Sequence, residues 1–411
     1  MATTAPARIL TLDTIRGVAV MGILLLNIVA FGLIEAAYMN PAAQGGSSGL
    51  DLGVYLVNFV LFDGKMRGLF SFLFGASTLL VIDRATAKGD SAAKVHYARM
   101  VWLLIFGLAH LWLIWWGDIL AHYALVGMIA YFFRNLRVKT LVIVAIVLLA
   151  VQWLILAGLA MFVTALANGG MPGQSPQDVA ASLAEFTNGF GVPSTGHIAQ
   201  EMAVHLGSYP EVAWTRFVKN ATAPFAFVFM IGWETLGYML LGMAGLKSGM
   251  LTGAWKRRRY IRWLAVSFGI GIPAYALIAA WLVRENFAMT AVVTGVMALS
   301  VPFRPLMIVG WASLIILLMR PGGALTARIA AAGRMAFTNY LVTSIVCTTI
   351  FYGYGFALFG QLHRAQLYLV VLAIWGGMLL RSKPWLDRFN YGPFEWLWRS
   401  LARGSLQVLR R

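Results

Sequence analysis

The chain has 411 residues, of which 60% are hydrophobic and only 11% are charged, and its mean hydropathy is +0.77. Soluble domains carry about 25% charged residues, so this composition excludes a soluble enzyme, a disordered tail, a coiled coil and a secreted disulfide scaffold. The remaining class is an all-α, polytopic transmembrane helical bundle, in which the net charge of +17 marks cytoplasmic loops and not a nucleic-acid partner.

The N-terminal segment predicts a first span that is retained, not a cleaved signal peptide. Arg8 is its single basic residue before Asp13 and Arg16, and these two charges precede an apolar run over 18–34. The one cysteine, Cys347, lies in an apolar run, which excludes an intrachain disulfide and a cysteine-based metal site. We expect no metal.

Apolar runs of about 17 to 25 residues predict spans, and the chain contains about ten of them. They lie near 14–35, 54–82, 98–116, 119–133, 140–166, 221–246, 260–283, 287–319, 335–352 and 366–381. The eighth run contains Pro302, Arg304 and Pro305 and is interpreted as one broken crossing. Two crossings there would give eleven spans and would place the basic C-terminal tail outside.

Most basic residues lie in five connecting segments that alternate along the chain: 83–99, 134–139, 247–262, 320–334 and 381–411. The positive-inside rule makes these segments, and with them both termini, cytoplasmic. The lipid bilayer, with anionic lipids at these loops, is the expected partner.

The spans group into three regions. Residues 1–166 form an N-terminal transmembrane half, 167–220 an extracytoplasmic loop with short helices, and 221–411 a C-terminal transmembrane half with an amphipathic basic tail.

Polar side chains inside apolar runs are the candidate functional residues, because burying them in hydrocarbon is costly. In the first span, Asp13, Arg16 and Asn27 fall on one helical face at about 100° per residue, and Asn27 lies about 16 Å beyond Arg16. A first-turn acid at Asp13 and interhelical hydrogen bonding by Asn27 are the structural alternatives.

A second group of charges, Asp63, Lys65 and Arg67, interrupts the second run. The pattern predicts either a broken span or a re-entrant piece, whose backbone must be buried in protein or line a wet cavity. Lys65 and Arg67 suit a phosphate or a carboxylate. Mutual neutralisation with Asp13 and Arg16 is the structural alternative.

A third group surrounds a turn that follows two tryptophans, which are typical of the membrane interface. Asp118 and His122 are four residues apart and share a helical face, and His110 can approach them from the preceding antiparallel helix. A histidine and a carboxylate in a dry pocket suit general acid–base catalysis. A capped hairpin with a hydrogen-bonded buried histidine is the alternative.

Two motifs lie near the C-terminus. The motif at 333–340 starts a span with Arg334, Asn339 and Tyr340, which are binding candidates or a helix-start anchor. The motif at 391–399 predicts an interfacial amphipathic helix with Glu395 and Arg399 at i,i+4.

Together these motifs resemble the YeiB-like family of bacterial membrane proteins. The resemblance covers nearly the whole chain and implies a multi-pass protein of the bacterial cytoplasmic (inner) membrane. It rests on 8–17 with Asn27, the break at 63–67, the turn at 117–120, and the motifs at 333–340 and 392–399.

The N-terminal half is also similar to the transmembrane acyltransferase superfamily, which includes heparan-α-glucosaminide N-acetyltransferase, through Asp13, Arg16, Gly17 and Asn27. This similarity implies transfer of an acetyl group from cytoplasmic acetyl-CoA, or of another acyl group from its acyl-CoA, to an acceptor across the membrane. The catalytic histidine of that enzyme has no counterpart in the matching stretch 35–41, so we expect His110 to replace it from another helix.

The expected function is therefore acyl transfer to a small-molecule, glycan or lipid acceptor. His110 would be the general base with help from Asp118 or His122, and Asn27 would orient the acceptor or stabilise an oxyanion. Arg16, Lys65 and Arg67 would hold CoA phosphates or an acidic group on the inner side. The further binding candidates are Asp13, Asp63, Arg334, Asn339 and Tyr340.

Two other functions use the same features. A membrane transporter or lipid flippase would pass its substrate along the buried charged track. A non-catalytic scaffold or sensor would bind a partner through the loop 167–220. The sequence leaves the oligomeric state open, including a homodimer.

Overall fold

The computed structural model describes residues 9–411, and Arg8 therefore lies outside the described residues. This part of the chain is helical throughout, apart from turns and one isolated β-bridge between Phe389 and Arg410, which confirms the all-α prediction. The α-helices are α1 (Leu10–Gly32), α2 (Gly49–Leu61), α3 (Lys65–Ala87), α4 (Ala92–Ala109), α5 (Leu120–Ala130), α6 (Val138–Ala167), α7 (Pro176–Phe190), α8 (Thr195–His205), α9 (Tyr209–Asn220), α10 (Ala223–Lys247), α11 (Arg257–Arg284), α12 (Met289–Val292), α13 (Arg304–Leu318), α14 (Ala324–Arg334), α15 (Ala336–Phe351), α16 (Arg364–Arg388) and α17 (Pro393–Arg403).

Eight segments of the described chain are long and apolar enough to cross a membrane, as the composition predicts. Two shorter apolar helices, Leu120–Phe133 and Ala336–Phe351, occupy the positions of the two remaining predicted spans. The eight segments are Leu10–Gly32, Gly49–Ala87, Ala92–Ile114, Val138–Ala167, Ala223–Lys247, Arg257–Arg284, Met289–Leu318 and Arg364–Arg388. The polytopic membrane bundle is confirmed, while the count of ten crossings and the side on which the termini lie stay predictions.

The second span is broken between α2 and α3. Gly64 lies in the break with φ of +67°, a left-handed conformation that glycine adopts without steric cost. A Cβ atom at this position would lie 2.4 Å from Nε of Arg304. The glycine therefore permits both the turn between α2 and α3 and the close packing of Arg304 against it.

The segment 320–334 is more than a basic connecting loop. It contains α14, which packs against α1 with very close backbone approach. A Cβ atom at Gly333 would lie 2.0 Å from the carbonyl oxygen of Asp13, and one at Gly17 would lie 2.1 Å from that of Ile329. Small residues on both helices allow this contact, which brings Arg334 beside the first turns of α1.

The region 167–220 folds into α7, α8 and α9, each preceded by a serine. The hydroxyls of Ser175 and Ser194 cap α7 and α8, and Ser208 forms a capping box with Glu211. The Tyr209 hydroxyl donates to the Leu113 carbonyl at 3.1 Å. The helices α7–α9 therefore lie over the C-terminal end of the membrane segment Ala92–Ile114.

Candidate functional site

A pocket of about 430 Å³ lies at the end of the bundle that carries the basic segments, which we call the basic end. Its walls come from α1, α3, α4, α5, α14, α15 and α17, so both halves of the chain contribute. Five arginines and two acids line it, which gives it an excess of positive charge suited to an anionic ligand. These residues are Arg16, Arg84, Arg99, Arg334, Arg399, Asp13 and Glu395.

The C-terminal helix α17 is built into the wall of this pocket. The indole of Trp398 donates to the Arg99 carbonyl at 2.9 Å, and the Arg99 guanidinium lies 4.1 Å from the Trp398 ring. The Glu395 carboxylate accepts from the backbone N–H groups of Phe337 and Thr338 at 2.8 and 3.0 Å and thereby caps the start of α15. Burial raises the pKa of Glu395.

The predicted charged face of the first span lies on the pocket wall. Arg16 donates to Asp13 at 3.1 Å and to the hydroxyl of Ser77 at 2.6 Å. The Ser77 contact ties α1 to α3 and fixes the guanidinium at the pocket surface.

Tyr123 and Tyr340 line the pocket together with Ile119 and Leu120. The Tyr340 ring centroid lies 5.1 Å from that of His110, and the Tyr340 hydroxyl donates to the Gly117 carbonyl at 3.4 Å. Tyr340 therefore lies between the pocket and the His110 imidazole.

His110 and Asp118 form a buried pair behind Tyr340. Nδ1 of His110 lies 2.8 Å from Oδ1 of Asp118, and each side chain is 1% exposed. An ionised carboxylate only accepts hydrogen bonds, so Nδ1 donates, and in the neutral imidazole Nε2 then carries the lone pair. Nε2 has no hydrogen-bond partner within the described chain. Oδ2 of Asp118 accepts from the Ala121 N–H at 2.8 Å, so the same carboxylate caps α5.

The backbone around His110 is a π-helical turn, His110–Ile114, a local feature that is frequent at functional sites. The structure thus brings His110 and Asp118 together, and it also contains the cap that was the structural alternative.

His122 lies apart from this pair, although it is four residues from Asp118. Its Nε2 donates to the hydroxyl of Thr235 at 2.9 Å, since that hydroxyl itself donates to a backbone carbonyl. His122 interacts electrostatically with Arg67 and Glu234 and so belongs to a second cluster.

The second cluster is centred on Glu234 of α10. One carboxylate oxygen accepts from Arg67 at 2.5 Å, and the other accepts from Arg304 at 2.6 Å. The Tyr238 hydroxyl also donates to Glu234, at 2.7 Å, and Arg304 donates to the Ser300 hydroxyl at 3.1 Å. We call Arg67, Glu234 and Arg304 the buried triad.

Lys65 is 0% exposed and directed into the protein. Its ammonium donates to the Phe59 carbonyl at 2.5 Å and lies 3.1 Å from the centre of the Tyr275 ring. These contacts hold the start of α3 against the end of α2 and provide cation–π stabilisation.

Neither Lys65 nor Arg67 lines the basic-end pocket. Arg16 contacts Ser77, and Arg67 lies ten residues before Ser77 on α3, a distance of about 15 Å along the helix. Arg16, Lys65 and Arg67 were expected to form a single phosphate site. In the fold, Arg16 lies in the basic-end pocket, and Lys65 and Arg67 lie elsewhere.

Three other predicted residues border smaller spaces or are packed. Asp63 lines a cavity of about 20 Å³. Asn27 lines one of about 10 Å³, which Tyr340 borders together with the basic-end pocket. Asn339 is buried, donates to the Ala332 carbonyl at 3.1 Å and contacts the hydroxyl of Ser382 at 3.2 Å. Asn339 therefore joins α14, α15 and α16 and does not line the pocket.

Glu234 is not among the site residues predicted from the sequence, and Arg304 is predicted only as part of a broken span. A carboxylate in the apolar run 221–246 was a usable signal, since an ionisable residue at membrane depth is a functional candidate by default. Ser77 and Arg99 carried no such signal, because they acquire their roles only through packing.

The fold and the pocket define a polytopic helical membrane protein with a basic binding pocket formed by both halves of the chain. Residues 246–405 match a family described as a protein of unknown function (DUF418). The chain is 32% identical to uncharacterized protein YeiB of Escherichia coli strain K12 over 96% of both chains. It is 31% identical to uncharacterized protein YxaH of Bacillus subtilis strain 168 over 98% of this chain and 96% of the relative.

The chain therefore belongs to the YeiB-like family, as its motifs predicted. No solved structure matches it. The names of these relatives assign no activity, so acyl transfer stays a prediction that has to be argued from the site.

Proposed function

We propose that the protein is an integral acyltransferase of the bacterial cytoplasmic membrane. It would take an acyl group, such as acetyl, from an acyl-CoA at the basic end and transfer it to a small-molecule, glycan or lipid acceptor. The observation that carries the proposal is the position of the His110–Asp118 pair, which lies directly behind Tyr340 in the wall of the arginine-lined pocket.

The charge of the pocket supports an acyl-CoA donor, and its size is that of a small-molecule site. Guanidinium groups bind phosphate through paired N–H groups, and five of them line this pocket. Its volume of about 430 Å³ lies within the range of about 300–1,000 Å³ for small-molecule sites. The positive-inside rule directs the basic end towards the cytoplasm, where acyl-CoA is available.

The arrangement of His110 supports general base catalysis. Its Nε2 would accept the proton of an acceptor hydroxyl or amine while that group attacks the thioester carbonyl. The carbon–sulfur bond then breaks, and His110 returns the proton to the leaving thiolate. Asp118 would hold the Nδ1–H tautomer and stabilise the imidazolium that forms. The Tyr340 ring must shift to let the thioester reach Nε2.

Asn27 is the candidate for oxyanion stabilisation. It borders the small cavity that also contacts Tyr340 and Ser344, so a shift of Tyr340 would join this cavity to the pocket. An amide N–H aimed at a developing oxyanion is a strong contribution in a dry site.

The proposal is tested with purified protein in nanodiscs, radiolabelled acetyl-CoA and a pool of bacterial glycans and lipids. We expect CoA binding and a labelled product, with transfer reduced by about 10²–10⁴ in His110→Ala while CoA binding is retained. Arg99→Gln should weaken CoA binding about tenfold, the loss of one charge-assisted contact.

His205→Ala is the matched control, because this histidine lies in the helical region 167–220 and does not line the pocket. It should retain both binding and transfer. Absence of CoA binding at millimolar concentration would overturn the proposal.

A transporter or lipid flippase is the second candidate, favoured by the buried triad, because ion pairs at membrane depth often mark substrate pathways. Transport in proteoliposomes that survives His110→Ala but is lost in Arg67→Ala would select this function instead.

A further inference from the structure

The buried triad carries more positive than negative charge. Two guanidinium groups, those of Arg67 and Arg304, share the single carboxylate of Glu234. Within residues 9–411 no second carboxylate hydrogen-bonds to either guanidinium, and Asp63 acts on Arg304 only through space. A net charge in a desolvated site is costly unless another group compensates it.

Both guanidinium groups also have hydrogen-bond donors left over. Nη1 of Arg67 and Nε of Arg304 are buried and have no hydrogen-bond partner in the described part of the chain. Buried N–H groups in folded proteins are usually satisfied. The Arg304 side chain is 9% exposed and that of Arg67 is 26% exposed, so Arg67 is the more accessible of the two, although its unpartnered Nη1 is itself buried.

The triad lies towards the end of the bundle opposite the basic end. Arg67 is in the first turn of α3, and the last residue of that helix, Ala87, lies in a basic segment. Tyr38, in the connection between α1 and α2, interacts electrostatically with both Arg67 and Arg304. Because the basic segments alternate along the chain, the positive-inside rule places that connection at the opposite, outer end.

We propose that Arg67 and Arg304, held apart by Glu234, form a subsite for one phosphate or carboxylate group that enters from the end opposite the basic segments. Such a group would supply the missing negative charge and accept from the free N–H groups. Its assignment to the acyl acceptor, which would then be an acidic molecule, rests on the proposed function, whereas anion binding itself does not.

The test is amide hydrogen–deuterium exchange of the full chain in phosphatidylcholine nanodiscs, with sodium phosphate, sodium acetate or sodium chloride at equal ionic strength. We expect phosphate or acetate, but not chloride, to slow exchange at least threefold in peptides that cover the α2–α3 break and the start of α13. Exchange is read peptide by peptide, so an anion in the basic-end pocket gives a separate signal.

Arg67→Gln should abolish the protection at the α2–α3 break, and Arg99→Gln, the matched control at the other pocket, should leave it intact. If Arg67→Gln does not fold, Arg67→Lys should weaken the response at least fivefold, because lysine lacks the paired N–H groups.

Protection that is absent with both anions, or unchanged in the Arg67 variants, overturns the proposal. Protection seen only when phosphatidylglycerol is added to the nanodiscs also overturns it, since the triad would then recognise a lipid. Anion binding without CoA binding would refute the proposed acyl transfer and leave the anion subsite standing.

Discussion

The two hydrogen bonds of Asp118 allow its structural role to be separated from its proposed catalytic role. One carboxylate oxygen orients His110, and the other caps α5 through the Ala121 N–H. A cap contributes about 1 kcal/mol, and a buried hydrogen bond to a charged group contributes about 1.5–3 kcal/mol. Asp118→Ala should therefore lower the free energy of unfolding by about 2.5–4 kcal/mol.

Asp118→Asn separates the two roles. The amide oxygen can retain the bond from Ala121, which places the amide NH₂ group opposite Nδ1 of His110. His110 must then take the Nε2–H tautomer, which removes the lone pair needed by a general base. We expect a loss of about 1–2 kcal/mol in stability but a fall of about 10³–10⁴ in acyl transfer.

The free energy of unfolding would be measured by titration with a denaturing detergent in mixed micelles, and transfer by the radiolabel assay. Glu185→Gln, an exposed substitution on α7, is the control and should change stability by less than about 0.5 kcal/mol. An Asp118→Asn variant that retains transfer within tenfold of the original chain would refute the assignment of His110 as the base.

Three further predictions concern the bundle. Gly333→Ala places a methyl group 2.0 Å from the Asp13 carbonyl oxygen and should lower the free energy of unfolding by about 1–3 kcal/mol. The control Gly376→Ala, with nothing within 4 Å of the added Cβ, should be neutral or stabilising in the same titration. Glu234→Gln leaves two buried guanidinium groups without a carboxylate and should cost about 3–5 kcal/mol, and an effect below 1 kcal/mol would contradict a desolvated triad. Burial lowers the pKa of His205 to about 4, below the ordinary 6.5 of an opened chain. The free energy that holds His205 in its buried position should therefore fall by up to about 3 kcal/mol as pH falls from 6.5 to 4, and should not change above pH 6.5. The loss would be measured as faster amide exchange around Phe359, which stacks on His205.

The spans could be predicted from the sequence because the length of an apolar run is a local property that the bilayer thickness fixes. The helix α14 could not, since the basic residues of the segment 320–334, such as Arg320 and Arg328, are typical of a cytoplasmic loop. Its burial depends on the fit of Gly333 against the backbone of α1, which is a tertiary contact without a local pattern.

The candidate site also contains one part that the sequence could predict and one that it could not. His110 and Asp118 are eight residues apart and are joined by a turn, so chain geometry alone brings them into reach. Arg67 and Glu234 are 167 residues apart, and no spacing rule relates them. Their pairing follows from the packing of α3 on α10, so the sequence could indicate that each charge is unusual but not which charges meet.

The short helix α5 connects the His110–Asp118 pair, the buried triad and the basic-end pocket. Its cap, Asp118, holds His110, and its first turn carries His122, which bonds to the neighbour of Glu234. The next residue, Tyr123, lines the basic-end pocket and donates to the Arg67 carbonyl at 3.1 Å. A donor in the pocket and an anion at the triad would therefore both act on this helix, and its start is the place where a transferred group would pass from one to the other.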